Sequence, residues 1–215
     1  MKIVVIGATG FVGSNIVNEL VHRNHEVIGI SRDEKTSDKS NLTLVHVDVT
    51  DTNALADRIK GCDIVVSAFS SGFANPNMHE DFIKGSTSIQ HAVKLADVKR
   101  YIVIGGAGSL YVADHVQAVD TDAFPEIFKP VARAAKDYLN ILKNEDSLNW
   151  LYFSPALEMH PGITTGRTGK YRHGTMNPIT DENGRSMISV EDVAVAVADE
   201  IETPKYRQTI FTAAY

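Results

Sequence analysis

The chain has 215 residues, 43% hydrophobic and 22% charged, a balance that fits one compact globular domain and excludes disordered, collagen-like and low-complexity chains. Its 21 basic and 27 acidic residues give a net charge of −6, the reverse of the basic footprint that a phosphate backbone requires, so nucleic acid is not an expected partner. The single cysteine, Cys62, has no internal disulfide partner, and the apolar start Ile3–Ile6 stops at Gly7, too short for a signal-peptide core or a membrane span; a cytoplasmic protein is expected.

Short runs rich in β-branched residues alternate with amphipathic stretches along the chain. Lys2–Ile6 predicts a strand and Phe11–His22 a helix, because Val12, Ile16, Val17, Leu20 and Val21 recur at spacings of three and four. Strands at Glu26–Ile30 and Thr43–Val47 are separated by the polar stretch Arg32–Lys39, which reads as a surface loop. A helix at Asn53–Ile59, a strand at Asp63–Ala68, a helix at His79–Leu95 and a strand at Tyr101–Ile104 follow. Pro125 and Pro130 bracket a loop. Beyond it Val131, Ala135, Tyr138, Leu139 and Leu142 share one face of a helix over Pro130–Leu142, and Trp150–Phe153 is a sixth strand. From Ser154 onward Pro155, Pro161, Gly162, Gly166, Gly169, Gly174 and Pro178 crowd together, so residues 154–188 are expected to form much of a small loop-rich cap on a single domain spanning 1–215. A helix at Val190–Ile201 opens at Ser189 with Asp192 three residues on, Glu191 and Asp192 reading as its solvated start, and Ile210–Thr212 is a last strand. The alternation predicts an α/β fold with a doubly wound parallel sheet covered on both faces.

The strongest local signal is Gly7-Ala8-Thr9-Gly10-Phe11-Val12-Gly13, placed between the first strand and the first helix. Gly7 permits a tight turn, Gly10 lets the backbone approach a pyrophosphate, Gly13 lets helix and strand pack closely, and the helix start offers free N–H groups to the anion. This is the arrangement of a Rossmann-type dinucleotide site, with Gly7, Thr9, Gly10, Phe11, Val12 and Gly13 as candidate contacts. After the second strand come Ser31, Arg32 and Asp33. A guanidinium pairs with a 2′-phosphate, so NADP is favoured with Arg32 and Ser31 as anchors, while Asp33 keeps NAD open through the ribose 2′-hydroxyl. Asp48 and Val49 close the third strand, and Ser67, Ala68 and Phe69 the fourth, at the carboxyl edge where open α/β sheets bind ligands. Asp48 is placed either to accept the adenine amino group or to cap the helix that begins near Asp51.

With these residues in view, the sequence resembles the atypical short-chain dehydrogenase/reductase proteins that bind NAD(P)H. Within them it is most similar to the group named for NADH-flavin reduction, akin to biliverdin/flavin reductases and NmrA-like proteins. The likeness rests on GATGFVG, on Gly105-Gly106-Ala107-Gly108-Ser109, on Phe153-Ser154-Pro155-Ala156, on Thr168-Gly169-Lys170-Tyr171, and on Ile188-Ser189 leading to Asp192. It implies cofactor contacts at Gly105, Ser154 and Pro155. It also implies that Ser109 meets the nicotinamide or acceptor and that Lys136 meets the nicotinamide ribose.

The tyrosine followed four residues later by lysine, usual in that superfamily, is missing: Lys136 stands in the lysine position, but Ala132 occupies the place of the phenol. Reduction of an isolated carbonyl builds charge on oxygen and needs a proton donor or oxyanion partner. A flavin, quinone or similar conjugated acceptor spreads that charge over its own rings, so positioning alone suffices. The expectation is an NAD(P)H-dependent reductase of a small conjugated acceptor. Ser154, Pro155, Met159, His160 and part of Thr164–Tyr171 would lie on the acceptor side, and Phe69, Phe73 and Met78 read either as an apolar wall or as core. Tyr111 is a weaker candidate donor. The alternatives are a non-catalytic nucleotide sensor of NmrA type and, third, a sugar-nucleotide epimerase or dehydratase. Scattered histidines, the lack of HExxH and the lone cysteine predict no metal, and no G-x-S-x-G elbow marks a serine hydrolase.

Overall fold

The computed structural model describes residues 1–32 and 36–215. In chain order the elements are β1 (Lys2–Ile6), α1 (Phe11–His22), β2 (Glu26–Ser31), β3 (Leu42–His46), α2 (Thr52–Ile59), β4 (Ile64–Ser67), α3 (Met78–Leu95) and β5 (Arg100–Ile104). They continue with β6 (Tyr111–Ala113), β7 (Val116–Gln117), α4 (Lys129–Leu142), β8 (Trp150–Phe153), β9 (Arg172–Gly174), α5 (Val190–Glu202) and β10 (Ile210–Ala214). Eight strands form one sheet in the order β3-β2-β1-β4-β5-β8-β10-β9, parallel except for β9, which runs antiparallel to β10. Strand order reverses between β1 and β4, and the carboxyl edge at such a reversal is where open α/β sheets bind their ligands.

Strand periodicity divides the core in two. Ile3 and Val5 face α1 and α5 together with Val66, Ile102 and Phe153, whereas Val4 and Ile6 face α2, α3 and α4 together with Val65, Val103 and Tyr152. In α1, Ile16 and Leu20 sit one turn apart and are fully buried, each contributing about 1.5–3 kcal/mol. Truncating Leu20 to Ala would cost about 3 kcal/mol through the cavity left. The run Val-Ala-Val-Ala-Val-Ala in α5 alternates like a strand, yet every residue from Asp192 to Ala198 is buried, as in a helix enclosed on all sides. Cys62 lies in the cluster under α2, and burial raises its thiol pKa to about 11.

Two features depart from the expected elements. The β6–β7 hairpin, turning at His115 with φ +57°, occupies the stretch between β5 and α4. Within the loop-rich stretch, Arg172–Gly174 adds the antiparallel edge strand β9, its residues pairing with Ala214, Ala213 and Thr212. No helix among the described residues is long and apolar enough to cross a membrane.

Candidate functional site

The glycine turn sits at the reversal point. Gly7 has φ +78°, and a Cβ there would lie 2.4 Å from the Ala68 carbonyl oxygen, so the turns after β1 and β4 touch backbone to backbone. The N–H groups of Gly7 and Ala8 both donate to the Ile30 carbonyl, at 2.9 and 3.1 Å, which ties the turn to the end of β2. A Cβ on Gly13 would lie 2.1 Å from the Gly7 oxygen, so only glycine lets α1 start this close to β1. Gly10 is exposed, and a Cβ there would meet nothing nearer than the Gly7 oxygen at 3.3 Å. It caps α1 without a side-chain hydrogen bond, and no acid stands in the first turn. An uncapped helix start free of negative charge, opening beside an exposed glycine, fits a pyrophosphate.

The flanking candidates gather at the same edge. Arg32 is exposed directly after β2, and Ser31, the last residue of β2, is buried. Asp33 lies outside the described residues. The Asp48 carboxylate accepts from the Thr50 N–H and hydroxyl, both at 2.9 Å, and these bonds, helped by the positive charges of Lys84 and Arg32, hold its pKa low. Asp51, not Asp48, caps α2, accepting from the Ala54 N–H at 3.0 Å. Val49 is buried in the core cluster under α2 and α3. Ser67 is buried against the Tyr101 hydroxyl, and the Phe69 ring stacks on Phe82 with centroids 5.9 Å apart, pressed against Gly85. Of the proposed apolar wall, then, Phe69 belongs to the core, while Phe73 is 72% exposed.

At the next two strands the side chains mostly turn inward. A Cβ on Gly105 would lie 2.0 Å from the Tyr152 ring, which passes beneath it so that the Tyr152 hydroxyl can donate to the Ala135 carbonyl. Ser109, expected to meet nicotinamide or acceptor, is 0% exposed in a 3-10 turn, its hydroxyl 3.4 Å from that of Tyr152. The inward turn follows from Gly108, which packs against Ala132 and Val119 with no room for a side chain. Lys136 donates to both oxygens of Asp120 at 2.7 Å. Ala132, one turn earlier on α4, is buried. The hydroxyls of Tyr101 and Tyr138 pair at 3.2 Å inside the core, where burial raises the pKa of both. Tyr111 accepts from Lys143 at 3.2 Å. Ser154 and Pro155 follow β8, fully enclosed, and the Ser154 hydroxyl has no hydrogen-bond partner among the described residues.

The stretch Gly166–Tyr171 is a strap across α1 and α5, and sequence reasoning missed what holds it. Asp192, read as part of a solvated helix start, is 0% exposed. Its carboxylate accepts from the Thr168 and Gly169 N–H groups, the Thr168 hydroxyl and the Tyr215 hydroxyl. Ser189 caps α5 as expected, accepting from the Asp192 N–H. Arg167 grips Glu19 of α1 through two bonds of 2.8 Å, and Arg23 bonds the same carboxylate. Tyr171 donates to Asp199 of α5 at 2.6 Å. This part of Thr164–Tyr171 is therefore tied down on the helices. One cavity of about 240 Å³ lies beside the strap between Asn15, His22, Arg167 and Glu191, and another of about 260 Å³ between Tyr171, Tyr206 and Phe211; neither includes the glycine turn. Among the described residues no cluster of histidine, cysteine and acidic residues is arranged to hold a metal.

Comparison with known proteins supplies the family. Residues 7–204 match the family model described as NAD(P)H-binding. The uncharacterized protein YwnB of Bacillus subtilis is 36% identical over 214 residues, covering 99% of this chain and 97% of its own. A Bacteroides thetaiotaomicron structure provisionally named an epimerase is 40% identical with a TM-score of 0.90, over 100% of this chain and 96% of its own. A Streptococcus pneumoniae structure provisionally named an NADH-flavin reductase is 34% identical with a TM-score of 0.85, over 100% and 99%. With a doubly wound sheet, a glycine turn at its reversal point and a match spanning nearly its whole length, the chain belongs to the NAD(P)H-binding family.

Proposed function

We propose that the protein is an NADPH-dependent reductase that delivers a hydride equivalent to a flavin, quinone or similar conjugated acceptor. The observation that carries this reading is the burial of Ala132 against Gly108 where a proton-donating phenol would stand, together with the inward-facing hydroxyls of Tyr101, Tyr138 and Tyr152. An acceptor that delocalises incoming charge needs no such donor. The backbone of Gly7–Gly13 binds the pyrophosphate, Arg32 and Ser31 favour the 2′-phosphate over NAD, and Asp48 offers its remaining acceptor capacity to the adenine amino group. The enclosed Ser154 hydroxyl has an unmet hydrogen bond to give at the edge of β8, and Lys136 can exchange Asp120 for a ribose hydroxyl. Bound nucleotide supplies the reducing equivalent, and the chain's part is to hold the acceptor within reach and exclude water. The whole chain is read as one domain with residues 154–165 on the acceptor side, acting in the cytoplasm on small molecules.

The test is NADPH oxidation by the purified protein with FMN, FAD, riboflavin and several quinones; rates at background with all of them remove the reading. A second reading, a nucleotide sensor without turnover, draws on the enclosure of Ser109 and the pairing of Lys136 with Asp120, which leave both polar groups engaged within the protein. It expects unequal affinity for NADPH and NADP+ with no acceptor reduced. Epimerase chemistry, suggested by the Bacteroides relative's name, calls for an acid–base phenol that Ala132 does not supply.

A further inference from the structure

The connections β1–α1, β4–α3 and β5–α4 are apolar at their tips, and the exposed cation Arg32 stands apart from them, after β2. Phe11 opens α1, Phe73 lies between β4 and α3, Ile127 and Phe128 immediately precede α4, and Leu157 follows β8. All five are exposed, Phe73 by 72% and Ile127 by 79%; Phe11 is the first residue of α1 and the other four stand on connections at the carboxyl edge. Scattered exposed apolar residues are ordinary, but five of them at four connections on the same edge of the sheet mark a binding rim.

The connections β1–α1, β4–α3 and β5–α4 contain no lysine or arginine, while the last carries Asp114, Asp120, Asp122 and Glu126. Two cations of α4 are engaged, Lys129 donating to Glu126 at 2.6 Å and Lys136 holding Asp120, while Arg133 adds its positive charge near Glu126. Arg167 is held by Glu19 on the far side of α1. Glu80 and Asp81 occupy the first turn of α3, so that helix start does not attract an anion either. Resting on the reductase reading, we infer that the acceptor is a planar ring system without a phosphate group, a quinone or riboflavin-type ring rather than FMN or FAD. The acceptor gains two electrons and two protons: one proton comes with the electron pair from NADPH, leaving NADP+, and the other comes from water. Recognition is by the apolar rim; with Lys129 and Lys136 already paired, the three connections offer a phosphate no lysine or arginine of their own, and Asp122 and Glu80 repel its dianion.

Riboflavin and FMN share one ring and differ by the phosphate, so they separate this inference from the reading beneath it. The full-length protein is assayed for kcat/KM with riboflavin, FMN and menadione at low and high salt, and each flavin is titrated by fluorescence quenching against the NADP+ complex. Expected are a preference for riboflavin over FMN of tenfold or more at low salt, narrowing at high salt, and a narrower gap in Glu126→Gln. Phe73→Ser and Ile127→Ser should raise KM for menadione several-fold with NADPH affinity unchanged. Turnover with FMN equal to or better than riboflavin overturns the inference and leaves the reductase intact. Absence of turnover with all acceptors removes the reductase reading, and equal flavin titrations then remove the charge preference too. A concentration-dependent dimer abolished by Phe73→Ser would assign the rim to self-association and overturn the inference.

Discussion

The glycine turn and the strap both hold a loop against the end of α1 or α5, and they do so by opposite means. At the turn, backbone is fixed by backbone: Gly7 rests on Ala68, Gly13 on Gly7, and no side chain caps α1. At the strap, two buried carboxylates do the holding, Asp192 with four donors and Glu19 with two arginines. The turn leaves donors unspent at a helix start, which a ligand can use. The strap spends its donors internally and behaves as structure.

Mutations that add a side chain at the turn and those that remove one at the strap should therefore separate binding from stability. The largest effect is expected for Gly7→Ala, where positive φ and the Ala68 carbonyl act together: a loss of about 3 kcal/mol or more in urea unfolding, with nucleotide binding abolished in calorimetry. Asp192→Ala strands the donors of Thr168, Gly169 and Tyr215, and unfolding should be easier by about 3 kcal/mol while NADPH affinity stays within about twofold. A comparable loss of affinity would break the division of labour between the two regions.

Glu19 sharpens it through pH. The hydrogen bond from Arg167, with that from Arg23, holds its pKa near 2 against an ordinary 4.5 despite burial. Because the folded value is depressed, its contribution is complete above the unfolded value and is lost as pH falls through the folded one. With Arg167 half exposed, that contribution is about 2 kcal/mol. Wild type and Glu19→Gln should thus differ by a constant margin above about pH 5.5 and converge toward pH 2 in denaturation midpoints. The smallest effect is expected at the exposed Arg32: Arg32→Ala should weaken NADPH binding by about tenfold and leave NADH unchanged.

Local signals made most of the fold legible. Strand and helix limits from Lys2 to Ile104 follow the periodicity to within a residue, because apolar spacing there reflects the two faces of one sheet. Apart from the β6–β7 hairpin, which is a local pairing, what was missed is fixed nonlocally. Arg172–Gly174 is three residues with two exposed side chains and is a strand only because β10 offers an edge. Glu19 and Arg167 are 148 residues apart, and nothing near either announces the other. At the site, the glycine turn was legible because its chemistry is backbone chemistry written in glycines. The inward facing of Ser109 was not, since it depends on how Gly108 packs on Ala132 and on the Tyr152 ring passing under Gly105. Asp192 misled for the same reason: a helix-start acid looks solvated until a distant loop closes over it.

Cys62 turns the molecule into its own reporter. The residue is 8% exposed under α2, and with the pKa raised to about 11 very little thiolate exists at neutral pH. An alkylating reagent should modify it only when α2 lifts from the sheet. The labelling rate at increasing urea then gives the opening free energy of this half of the core, with no probe engineered into the chain.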